Sequence, residues 1–505
     1  MRLRKCLVAN RGEIALRIIR ACHESGLQAV AVYSSADANA AHVQTADAAY
    51  AIGDAPAAGS YLNIAALLDV AERAGCDCVH PGYGFLAESA DFADAVIDAG
   101  LIWVGPSPHT IREMGVKTRA RDLMASAGVP LVPGYQSDAP DFDGFFAAAD
   151  EIGFPLMVKS AGGGGGKGIR IVHDPALLGE ALESARREAL NAFGDGRVFL
   201  ERYITEGRHI EVQIIADAHG NTCHLLEREC STQRRHQKII EEAPSPLLDD
   251  ATRDAITSAA VRAAQAVDYV NAGTVEFIAT PDRQFYFLEM NTRLQVEHPV
   301  TEMITGVDIV RLQFAIADGQ PLPFTQDDIR ANGHAIECRL YAEDAASNFL
   351  PATGTVQTFI APHLPGVRVD AGVRSGDAIT IHYDPMIAKI IAHARTREEA
   401  IIRLRHALAQ TVILGTITNR DFLLALLDDA RFKAGAVHTA TIDAALDQFL
   451  PTPPDSVAWE ALVALAYDEL MAGSKPTGDG DDSGDGFSAW DVPDGFRLGS
   501  TRTTT

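Results

Sequence analysis

The sequence predicts an α/β protein of two to four domains, and three observations support this prediction. At 505 residues the chain is too long to fold around one hydrophobic core. Its beginning follows a βαβ pattern, with a strand over residues 6–9, a helix over 13–25 and a strand over 27–33. Further along, two pairs of β-rich runs indicate hairpins, one around a run of five glycines and one over residues 273–290. We therefore expect a Rossmann-like N-terminal unit followed by units that contain hairpins.

The N-terminal unit continues to alternate helices and strands up to about Met114. The predicted elements are helices over 64–74 and 89–99, strands near 78–80 and over 101–104, and a helix over 117–127 that leads into the second unit. The loop after the first strand reads Asn10-Arg11-Gly12 and lacks Gly-x-Gly-x-x-Gly, the usual dinucleotide cradle. The sequence therefore argues against an NAD-binding domain.

Composition and charge exclude several classes of protein. The net charge is -25, from 68 acidic residues against 43 Lys and Arg, so neither a nucleic-acid backbone nor an anionic membrane is expected as a general partner. Seven scattered cysteines, of which Cys76 and Cys78 are too close together for ordinary metal-pair spacing, are expected to be reduced thiols in the core. No apolar run reaches about 18 residues, the length of a spanning helix. These features predict a cytoplasmic protein.

The run of five glycines over residues 162–166 lies between two strand-like segments. A Walker A loop requires Lys followed by Ser or Thr and then a helix, whereas here Lys167 precedes Gly168 and a strand follows. A glycine-rich hairpin tip with Lys159 and Lys167 nearby can instead close over phosphates through backbone N–H groups and two positive charges. The alternative is a flexible surface hairpin without a ligand. The first interpretation predicts a mobile lid.

The hairpin over residues 273–290 consists of β-rich runs at 273–279 and 284–290, with a turn-like Thr-Pro-Asp-Arg between them. If Asp282 and Arg283 are the two loop residues, Glu276 lies directly opposite Glu289. Opposed side chains have Cβ atoms roughly 4.5–5.5 Å apart, and two like charges at that distance are destabilising unless a counter-ion neutralises them. The predicted register therefore favours a bound cation between Glu276 and Glu289.

A divalent cation suits these oxygen ligands. Asn291 follows Glu289 on the same strand face and adds a neutral oxygen, and an all-oxygen set favours magnesium or manganese with waters and substrate phosphates in the remaining positions. The alternative is a rim of solvated charges on an edge hairpin. The segment that follows, with Arg293, Gln295 and Glu297 at alternate positions, favours the metal site.

A basic cluster over residues 233–238, Gln-Arg-Arg-His-Gln-Lys, stands out in an acidic protein and indicates an anionic ligand. The alternative is that Arg235 and Lys238 form salt bridges with Glu241 and Glu242. For His209, strand alternation places Glu211 and Gln213 on the same polar face, which fits a structural histidine and a ligand contact equally well.

Lys238 and Arg293 belong to the unit that carries the acidic hairpin. Together with a metal they can hold two anions side by side, as the joining of phosphate to a second oxyanion requires. Glu297 is the natural general base, since a carboxylate held near cations can accept a proton from a bound acid.

Five motifs together resemble biotin carboxylase, and the resemblance runs from about Arg4 to Leu450. They are Ala-Asn-Arg-Gly-Glu-Ile-Ala at residues 9–15, His-Pro-Gly-Tyr-Gly-Phe-Leu at 80–86, the glycine loop at 162–168, the basic cluster at 233–238 and the segment 289–301. The resemblance implies an ATP-grasp fold with a mobile glycine-rich lid, a Rossmann-like N-terminal domain, and an α+β C-terminal biotin carboxylase domain. It also implies formation of carboxyphosphate from bicarbonate and ATP, followed by carboxylation of N1′ of biotin.

The resemblance implies a role for each matching residue. For ATP these are Lys117, Lys159, His209, Gln233 and His236, with Gly165 and Gly166 at the lid tip and Glu201, Arg202, Tyr203 and Ile204 at the adenine-contacting hinge. For Mg²⁺ or Mn²⁺ they are Glu276, Glu289 and Asn291. For bicarbonate and biotin they are Lys238, Arg293, Gln295, Val296, Glu297, Arg339 and Tyr83, with Glu297 as base and Arg293 stabilising the biotin enolate. Lys167 stands where some members have Arg, which keeps the charge but loses the planar fork.

The resemblance further implies five segments and several partners. The segments are an N-terminal domain at 1–115, a linker helix and lid at 116–203, a catalytic core at 204–335, a C-terminal domain at 336–450, and an extension at 451–505 with a helix over 456–471 and a disordered linker over 472–486. No biotin-attachment sequence like Ala-Met-Lys-Met occurs, and the similar segment at 384–389 belongs to the family's own third domain. Biotin is therefore expected on a separate carrier or on a lost C-terminal region.

Residues 490–498 resemble the start of the region that follows the carboxylase unit in long α-chains of acyl-CoA carboxylases, notably the methylcrotonoyl type. We expect a truncated C-terminus, a carboxyltransferase partner, and a homodimer or larger complex. Two other functions compete: a related ATP-grasp ligase with an amine substrate, such as a carbamoyl phosphate synthetase half or a peptide-forming ligase, and a catalytically silent nucleotide-binding scaffold.

Overall fold

The structure is a computed structural model that describes residues 3–137, 142–161, 169–451 and the helix Ser456–Gly473. Residues up to Pro451 form one compact unit, and the helix belongs to a second unit. The predicted tip of the glycine-rich lid, with Gly165, Gly166 and Lys167, and the predicted linker and terminal strand beyond Gly473 lie outside the described residues.

The N-terminal region is a parallel sheet flanked by helices, as the βαβ pattern predicts. Its strands are β1 Lys5–Val8, β2 Gln28–Ser34, β3 Ala48–Gly53, β4 Cys78–His80 and β5 Ile102–Trp103, in the order β3-β2-β1-β4-β5. Its helices are α1 Gly12–Glu24, α2 Ala41–Thr45, α3 Ile64–Ala74, α4 Ala90–Asp98, α5 Pro108–Gly115 and α6 Lys117–Ser126. Each element predicted from the sequence is present within one residue of its predicted bounds, so the Rossmann-like prediction is confirmed.

A close backbone contact joins the ends of β1 and β4. The Asn10 side-chain amide donates to the carbonyl oxygens of Pro81, at 2.7 Å, and Tyr83, at 2.8 Å. Gly82 between them has φ +67°, and a Cβ there would lie 2.9 Å from the Asn10 amide nitrogen. Any larger residue would therefore push the two loops apart and displace Tyr83.

The second region carries a four-stranded antiparallel sheet. Its strands are β6 Gly134–Gln136, β7 Leu156–Ser160, β8 Arg170–Val172 and β9 Val198–Arg202, in the order β6-β9-β7-β8, and its helices are α7 Asp143–Ile152 and α8 Leu178–Phe193. Leu156 pairs with Val172 and Val158 with Arg170, so β7 and β8 form the predicted hairpin around the glycine run.

The remaining strands and helices form most of the molecule. The strands are β10 Arg208–Ala216, β11 Thr222–Arg234, β12 Gln237–Ala243, β13 Asn271–Ala279, β14 Phe285–Asn291, β15 His334–Tyr341, β16 Glu343–Asp344, β17 Leu350–Pro351, β18 Gly354–Thr355, β19 Thr358–Ile360, β20 Val367–Ala371, β21 Ala378–Ile379, β22 Met386–Ala394 and β23 Val412–Leu414. The helices are α9 Asp250–Gln265, α10 His298–Thr305, α11 Ile309–Ala317, α12 Arg397–Gln410, α13 Arg420–Asp428, α14 Ala430–Lys433, α15 Thr441–Ala444 and, in the second unit, α16 Ser456–Gly473.

One eight-stranded antiparallel sheet dominates this part, in the order β14-β13-β10-β11-β12-β15-β22-β20. One hydrophobic cluster around Phe277 and Ile256 packs α9 on the β10 and β13 end, and another around Leu404 and Ile390 packs α12 on the β15 and β22 end. Each fully buried large apolar side chain contributes roughly 1.5–3 kcal/mol, so this sheet is a rigid platform for the polar side chains it carries.

All seven cysteines are buried and free, which confirms the prediction of reduced core thiols. None of the helices in the described residues is both long and apolar enough to cross a lipid bilayer. The cytoplasmic location and the domain bounds expected at 115, 203, 335 and 450 remain predictions.

Candidate functional site

The acidic hairpin has the predicted pairing but reaches it by a different route. Glu276 pairs with Glu289, as predicted, whereas Ala279 pairs with Phe285, which leaves a three-residue loop at 281–283 instead of the predicted two. Arg283 takes the left-handed conformation, with φ +65°, that ends such loops. A β-bulge between the loop and Glu276 adds one residue on β14 and restores the register.

The register continues across the sheet. Glu211 of β10 pairs with Glu276 of β13, which pairs with Glu289 of β14, so three carboxylates form a row over three strands. On the other side of Glu211 the row ends at Arg228 of β11. Glu276 is 4% exposed, so the alternative of solvated charges on a rim does not fit this carboxylate.

Glu276 is held as an anion by its neighbours. Its oxygens lie 2.9 Å from His209 Nε2 and 3.0 Å from Lys238 Nζ, and its Oε1 accepts from the Asn291 amide at 2.7 Å. Burial opposes ionisation, but the two cations outweigh burial and lower the pKa of Glu276. For Glu289, burial and the charge of Glu276 raise the pKa above its usual value. A divalent cation bound to both carboxylates would remove the repulsion between Glu276 and Glu289.

Lys238 is the centre of the charge network. Its Nζ lies 2.5 Å from Glu297 Oε1, 2.6 Å from Glu211 Oε2 and 3.0 Å from Glu276 Oε1. Neither Glu241 nor Glu242 is among its partners. At the exposed turn, the Arg235 guanidinium donates to Asn348 Oδ1 and its backbone N–H donates to Asp443. The alternative of local salt bridges within 235–242 is therefore wrong, because residues distant in sequence contact both side chains.

Glu297 is the N-cap residue of α10 and is 1% exposed. Its second oxygen, Oε2, accepts from Arg339 Nη2 at 2.9 Å, and Arg339 Nε donates to Glu241 at 2.6 Å. Burial raises the pKa of Glu297, but Lys238, Arg339 and Arg228 together hold that pKa well below its usual value. The carboxylate is therefore ionised and able to accept a proton.

Arg293 lies beside this group and faces the acidic hairpin. Its guanidinium contacts Glu88 at 3.0 Å, Gln295 Oε1 at 3.0 Å and Asn291 Oδ1 at 3.2 Å. Gln295 in turn donates to Thr274 Oγ1 at 2.7 Å. The side chains of Glu88, Asn291 and Gln295 thus fix the guanidinium beside the acidic hairpin.

The other face of the loop is tied to the C-terminal region and to the N-terminal sheet. Lys389 of β22 donates from Nζ to the Val296 carbonyl at 2.7 Å and contacts Glu13 Oε1 at 3.1 Å. Tyr83 donates its hydroxyl to the same Glu13 oxygen. Three separate parts of the chain therefore position Val296 and Glu297.

A second group of charges lies on the four-stranded sheet and α6. Glu201 is 4% exposed and is paired with both Lys159 and Arg121. Lys117 begins α6, and its ammonium is near Glu289, Lys159 and Glu201; burial is the main cause of its lowered pKa. Lys117 therefore links the charges of the four-stranded sheet to the acidic hairpin.

The other predicted nucleotide contacts form two groups, one at the hinge after β9 and one on the strands β10 and β11. The hinge residues Arg202, Tyr203 and Ile204 lie at the end of β9, where the backbone N–H groups of Arg202 and Tyr203 donate to the Pro133 and Pro155 carbonyls. His209 and Gln233 contact each other, with Gln233 Nε2 2.7 Å from His209 Nδ1.

His236 is exposed at the tip of the β11–β12 turn. With Arg235 it forms a two-residue turn in which both residues have positive φ, +49° for Arg235 and +65° for His236. Such positions favour Gly or Asn, so Arg235 and His236 adopt this conformation at a cost in free energy. Backbone strain of this kind is common at functional sites.

The predicted set misses seven charged residues of the network. Arg228 is fully buried and donates to Glu211 at 2.5 Å, to Gln213 at 2.8 Å and to Thr301 at 2.9 Å. The others are Arg121, Lys389 and the acids Glu13, Glu88, Glu211 and Glu241. The sequence gives one indirect indication of Arg228. Strand alternation places Glu211 and Gln213 on one polar face, and a buried polar face needs a polar partner on the neighbouring strand.

Similarity to known proteins agrees with this arrangement. Three family models match: biotin carboxylase, N-terminal domain, at residues 2–111; carbamoyl-phosphate synthase L chain, ATP binding domain, at 116–325; and biotin carboxylase C-terminal domain at 337–444. Biotin carboxylase 1 of Bacillus subtilis (strain 168) is 48% identical over 442 residues, which are 87% of this chain and 98% of the relative.

Longer relatives match as well. The mitochondrial methylcrotonoyl-CoA carboxylase subunit alpha of Rattus norvegicus is 46% identical over 504 residues, which are 99% of this chain and 70% of that subunit. The corresponding subunit of Glycine max is 51% identical, and the match spans 61% of its length. This chain thus corresponds to about two thirds of these alpha subunits.

Solved structures show the same fold. The biotin carboxylase domain dimer of Hydrogenobacter thermophilus 2-oxoglutarate carboxylase, in complex with MgADP, ADP and bicarbonate, has a TM-score of 0.86 at 45% identity and covers 90% of this chain and 100% of that one. Biotin carboxylase from Campylobacter jejuni, in a β-γ-ATP complex, has a TM-score of 0.85 at 42% identity, covering 88% of this chain and 99% of that one. The fold and the site define an ATP-grasp enzyme. By sequence and structure alike, the chain belongs to the biotin carboxylase family.

Proposed function

We propose that this chain uses ATP and bicarbonate to carboxylate biotin on a carrier protein, which is the first half-reaction of an acyl-CoA carboxylase. The observation that carries the proposal is the contact of Lys238 and Arg339 with the ionised carboxylate of Glu297, with Arg293 on the same loop and the pair of Glu276 and Glu289 beside it. This arrangement places a base and several cations next to a candidate metal site. Deprotonation of bicarbonate and its attack on a phosphoryl group require that combination.

Glu297 is the proposed base for bicarbonate. In the free protein Lys238 and Arg339 hold its pKa low. A bicarbonate bound against Lys238 and Arg293 competes for the same cations, so the affinity of Glu297 for a proton rises as its ligand arrives. Gln295 and the backbone of Val296 line the same loop and orient the anion, and Arg293 stabilises negative charge that develops on biotin.

Glu276, Glu289 and Asn291 are the proposed ligands of Mg²⁺ or Mn²⁺. The donor set fits, because two opposed carboxylates and an amide oxygen are the ligands that hard divalent cations prefer. When bound, the ion supplies charge neutralisation between the phosphates of ATP. Asn291 presents its amide nitrogen to Glu276 and its oxygen to Arg293 in the free protein, and a rotation of the side chain turns the oxygen toward the carboxylates.

The nucleotide is proposed to lie between the four-stranded sheet and the large sheet. Lys117 and Lys159 contact its phosphates, and the glycines at 165 and 166 cover them. The hinge at 201–204 receives the adenine, with Glu201 already oriented by Lys159 and Arg121. His209, Gln233 and His236 approach from the β10–β12 side, and Tyr83 and Arg339 from the side of the biotin.

We further propose a biotin carrier and a carboxyltransferase as partners, and a dimer as the assembly. The match over 99% of the chain to a methylcrotonoyl-CoA carboxylase alpha subunit supports an acyl-CoA carboxylase of that type. The dimeric biotin carboxylase domain of the Hydrogenobacter enzyme supports the assembly.

ADP release in the presence of free biotin tests the proposal. We expect ATP hydrolysis that requires both bicarbonate and biotin, and that Glu297→Gln abolishes without loss of folding. Hydrolysis driven by an amine instead of biotin would favour a different ATP-grasp ligase. Nucleotide binding without any turnover would favour a silent scaffold, and either outcome would refute the proposal.

A further inference from the structure

Two buried carboxyl groups face each other in the middle of the large sheet. Glu337 of β15 pairs directly with Glu241 of β12, and both are 0% exposed. Neither oxygen of Glu337 has a hydrogen-bond partner among the described residues, and Oε2 of Glu241 has none either. Opposed side chains on antiparallel strands lie close enough for two like charges to be destabilising. One of the two carboxyl groups must therefore be uncharged.

The cations nearby are already engaged. Arg339, two residues from Glu337 on the same strand face, contacts Glu241 at 2.6 Å and Glu297 at 2.9 Å. Lys389, which pairs with Arg339 across β15 and β22, contacts the Val296 carbonyl and Glu13. Among the described residues no cation forms an ion pair with Glu337. A buried carboxylate without a partner takes up a proton in preference to remaining ionised.

The charges that face Glu337 favour the same assignment. Burial raises the pKa of Glu337 well above its usual value; Lys389 and Arg339 lower it, and Glu241 and Glu297 raise it further. For Glu241, burial raises the pKa to about 7, against the effect of Arg339. Because Glu241 has the arginine and Glu337 does not, the proton belongs on Glu337.

We propose that Glu337 is a positioning residue that keeps its proton in the pH range where Glu241 ionises, so that Glu241 alone carries the negative charge that holds Arg339 against Glu297. This inference rests on the proposed function, in which Glu297 is the base and Arg339 lies beside the biotin. Ionised Glu337 would put a second negative charge next to Arg339 and Lys389. Those cations would then be drawn from Glu297 and Val296, and the base would lose its orientation.

The proton can be counted from the pH dependence of stability. A protonated native Glu337 loses its proton on unfolding near pH 7, so the free energy of unfolding falls as pH rises toward the folded-state pKa. Glu337→Gln has no such proton. We therefore expect the slope of its unfolding free energy against pH to correspond to the release of one proton fewer than in the wild type. Glu343→Gln is the control, because Glu343 is also buried but is ion-paired with Arg234 at 2.9 Å.

Equal slopes for wild type and Glu337→Gln would show that Glu337 is ionised, and would overturn the proposal. If Glu337→Gln does not fold, infrared spectra of the wild type and of Glu337→Asp at pH 7 decide the matter. A carbonyl stretch of a protonated carboxyl group that shifts on this substitution supports the proposal, and a carbonyl region that is the same in both proteins refutes it.

Turnover separates positioning from simple packing. We expect Glu337→Gln to lose less than about threefold in kcat at pH 7.5 and to keep activity to higher pH than the wild type, since glutamine cannot ionise. Glu241→Gln, which removes the anionic partner of Arg339, should lower kcat by roughly tenfold or more at saturating bicarbonate. Equal losses in the two variants, or an alkaline limb that does not move, would overturn the proposal. A wild type without bicarbonate-dependent turnover would instead refute the proposed function, and the proton count would still stand.

Discussion

Replacing Lys238 by methionine removes the one ammonium group that three buried carboxylates share. The contacts to Glu297, Glu211 and Glu276 measure 2.5, 2.6 and 3.0 Å, and the Lys238 side chain is 14% exposed. Each contact is worth about 6 kcal/mol of Coulomb energy at an effective dielectric constant near 20, most of which the desolvation of the charges offsets. Breaking a buried pair costs about 3–5 kcal/mol, and we expect Lys238→Met to lose that much free energy of unfolding at pH 8.

The loss should depend on pH. Lys238 lowers the pKa of Glu276 and Glu297 in the folded protein, so these groups contribute stability above the unfolded-state pKa of about 4.3 and lose it as pH falls through the folded values. Without the ammonium their folded pKa values rise, and protonation at pH 5 relieves the repulsion. Urea denaturation should therefore show a smaller deficit at pH 5 than at pH 8.

A matched control is Lys433→Met. Lys433 pairs with Asp428 at 3.1 Å on the surface, with its side chain 49% exposed, and an exposed pair of this kind contributes about 0–1 kcal/mol. If Lys238→Met lost no more stability than this control, or lost the same amount at both pH values, the shared ammonium would not stabilise the carboxylate row.

Two other predictions concern ligands and rate. Glu276→Gln and Glu289→Gln should each reduce the rise in melting temperature that MgATP gives the wild type, because each removes a proposed metal ligand; a full rise in both variants would contradict the metal assignment. Arg293→Ala and Glu297→Ala should lower kcat by roughly 10²–10⁴, the range for a positioned base or charge-stabilising donor, whereas Lys238→Ala should mainly raise the KM for bicarbonate. Biotin-dependent turnover at saturating bicarbonate distinguishes the two effects, and a Glu297→Ala kcat near that of the wild type would assign the base elsewhere.

The placement of Glu276 opposite Glu289 could be derived from the sequence because turn chemistry and strand alternation are local. The three-residue loop and the β-bulge could not, since both are small adjustments whose effects on register cancel. The prediction is therefore right at the two carboxylates and at the loop residues Asp282 and Arg283, and wrong at Pro281, which was expected to pair with Gln284 and lies in the loop instead.

The partners of Lys238 show the limit of sequence reasoning more sharply. Glu241 and Glu242 are its neighbours in sequence, but Glu211 and Glu276 reach it from β10 and β13 across the sheet. Side-chain contacts between strands depend on sheet order, which no spacing along one chain discloses. Arg228 and Lys389 were missed for the same reason, because each is surrounded by ordinary strand residues and meets its partners only after folding.

The continuity of the large sheet limits how the chain can be divided. Strands β12 and β15 are hydrogen-bonded neighbours, although the family models place them in different domains. A fragment that began near residue 336 would expose the edge of β15 to solvent, and Glu337 and Arg339 would lose their contacts with β12. Exposed edges of that length pair with strands of other molecules, so such a fragment is expected to aggregate. For the same reason, a chimera that joins the N-terminal part of one relative to the C-terminal part of another at this boundary should fold only when the β12 and β15 sequences are exchanged together.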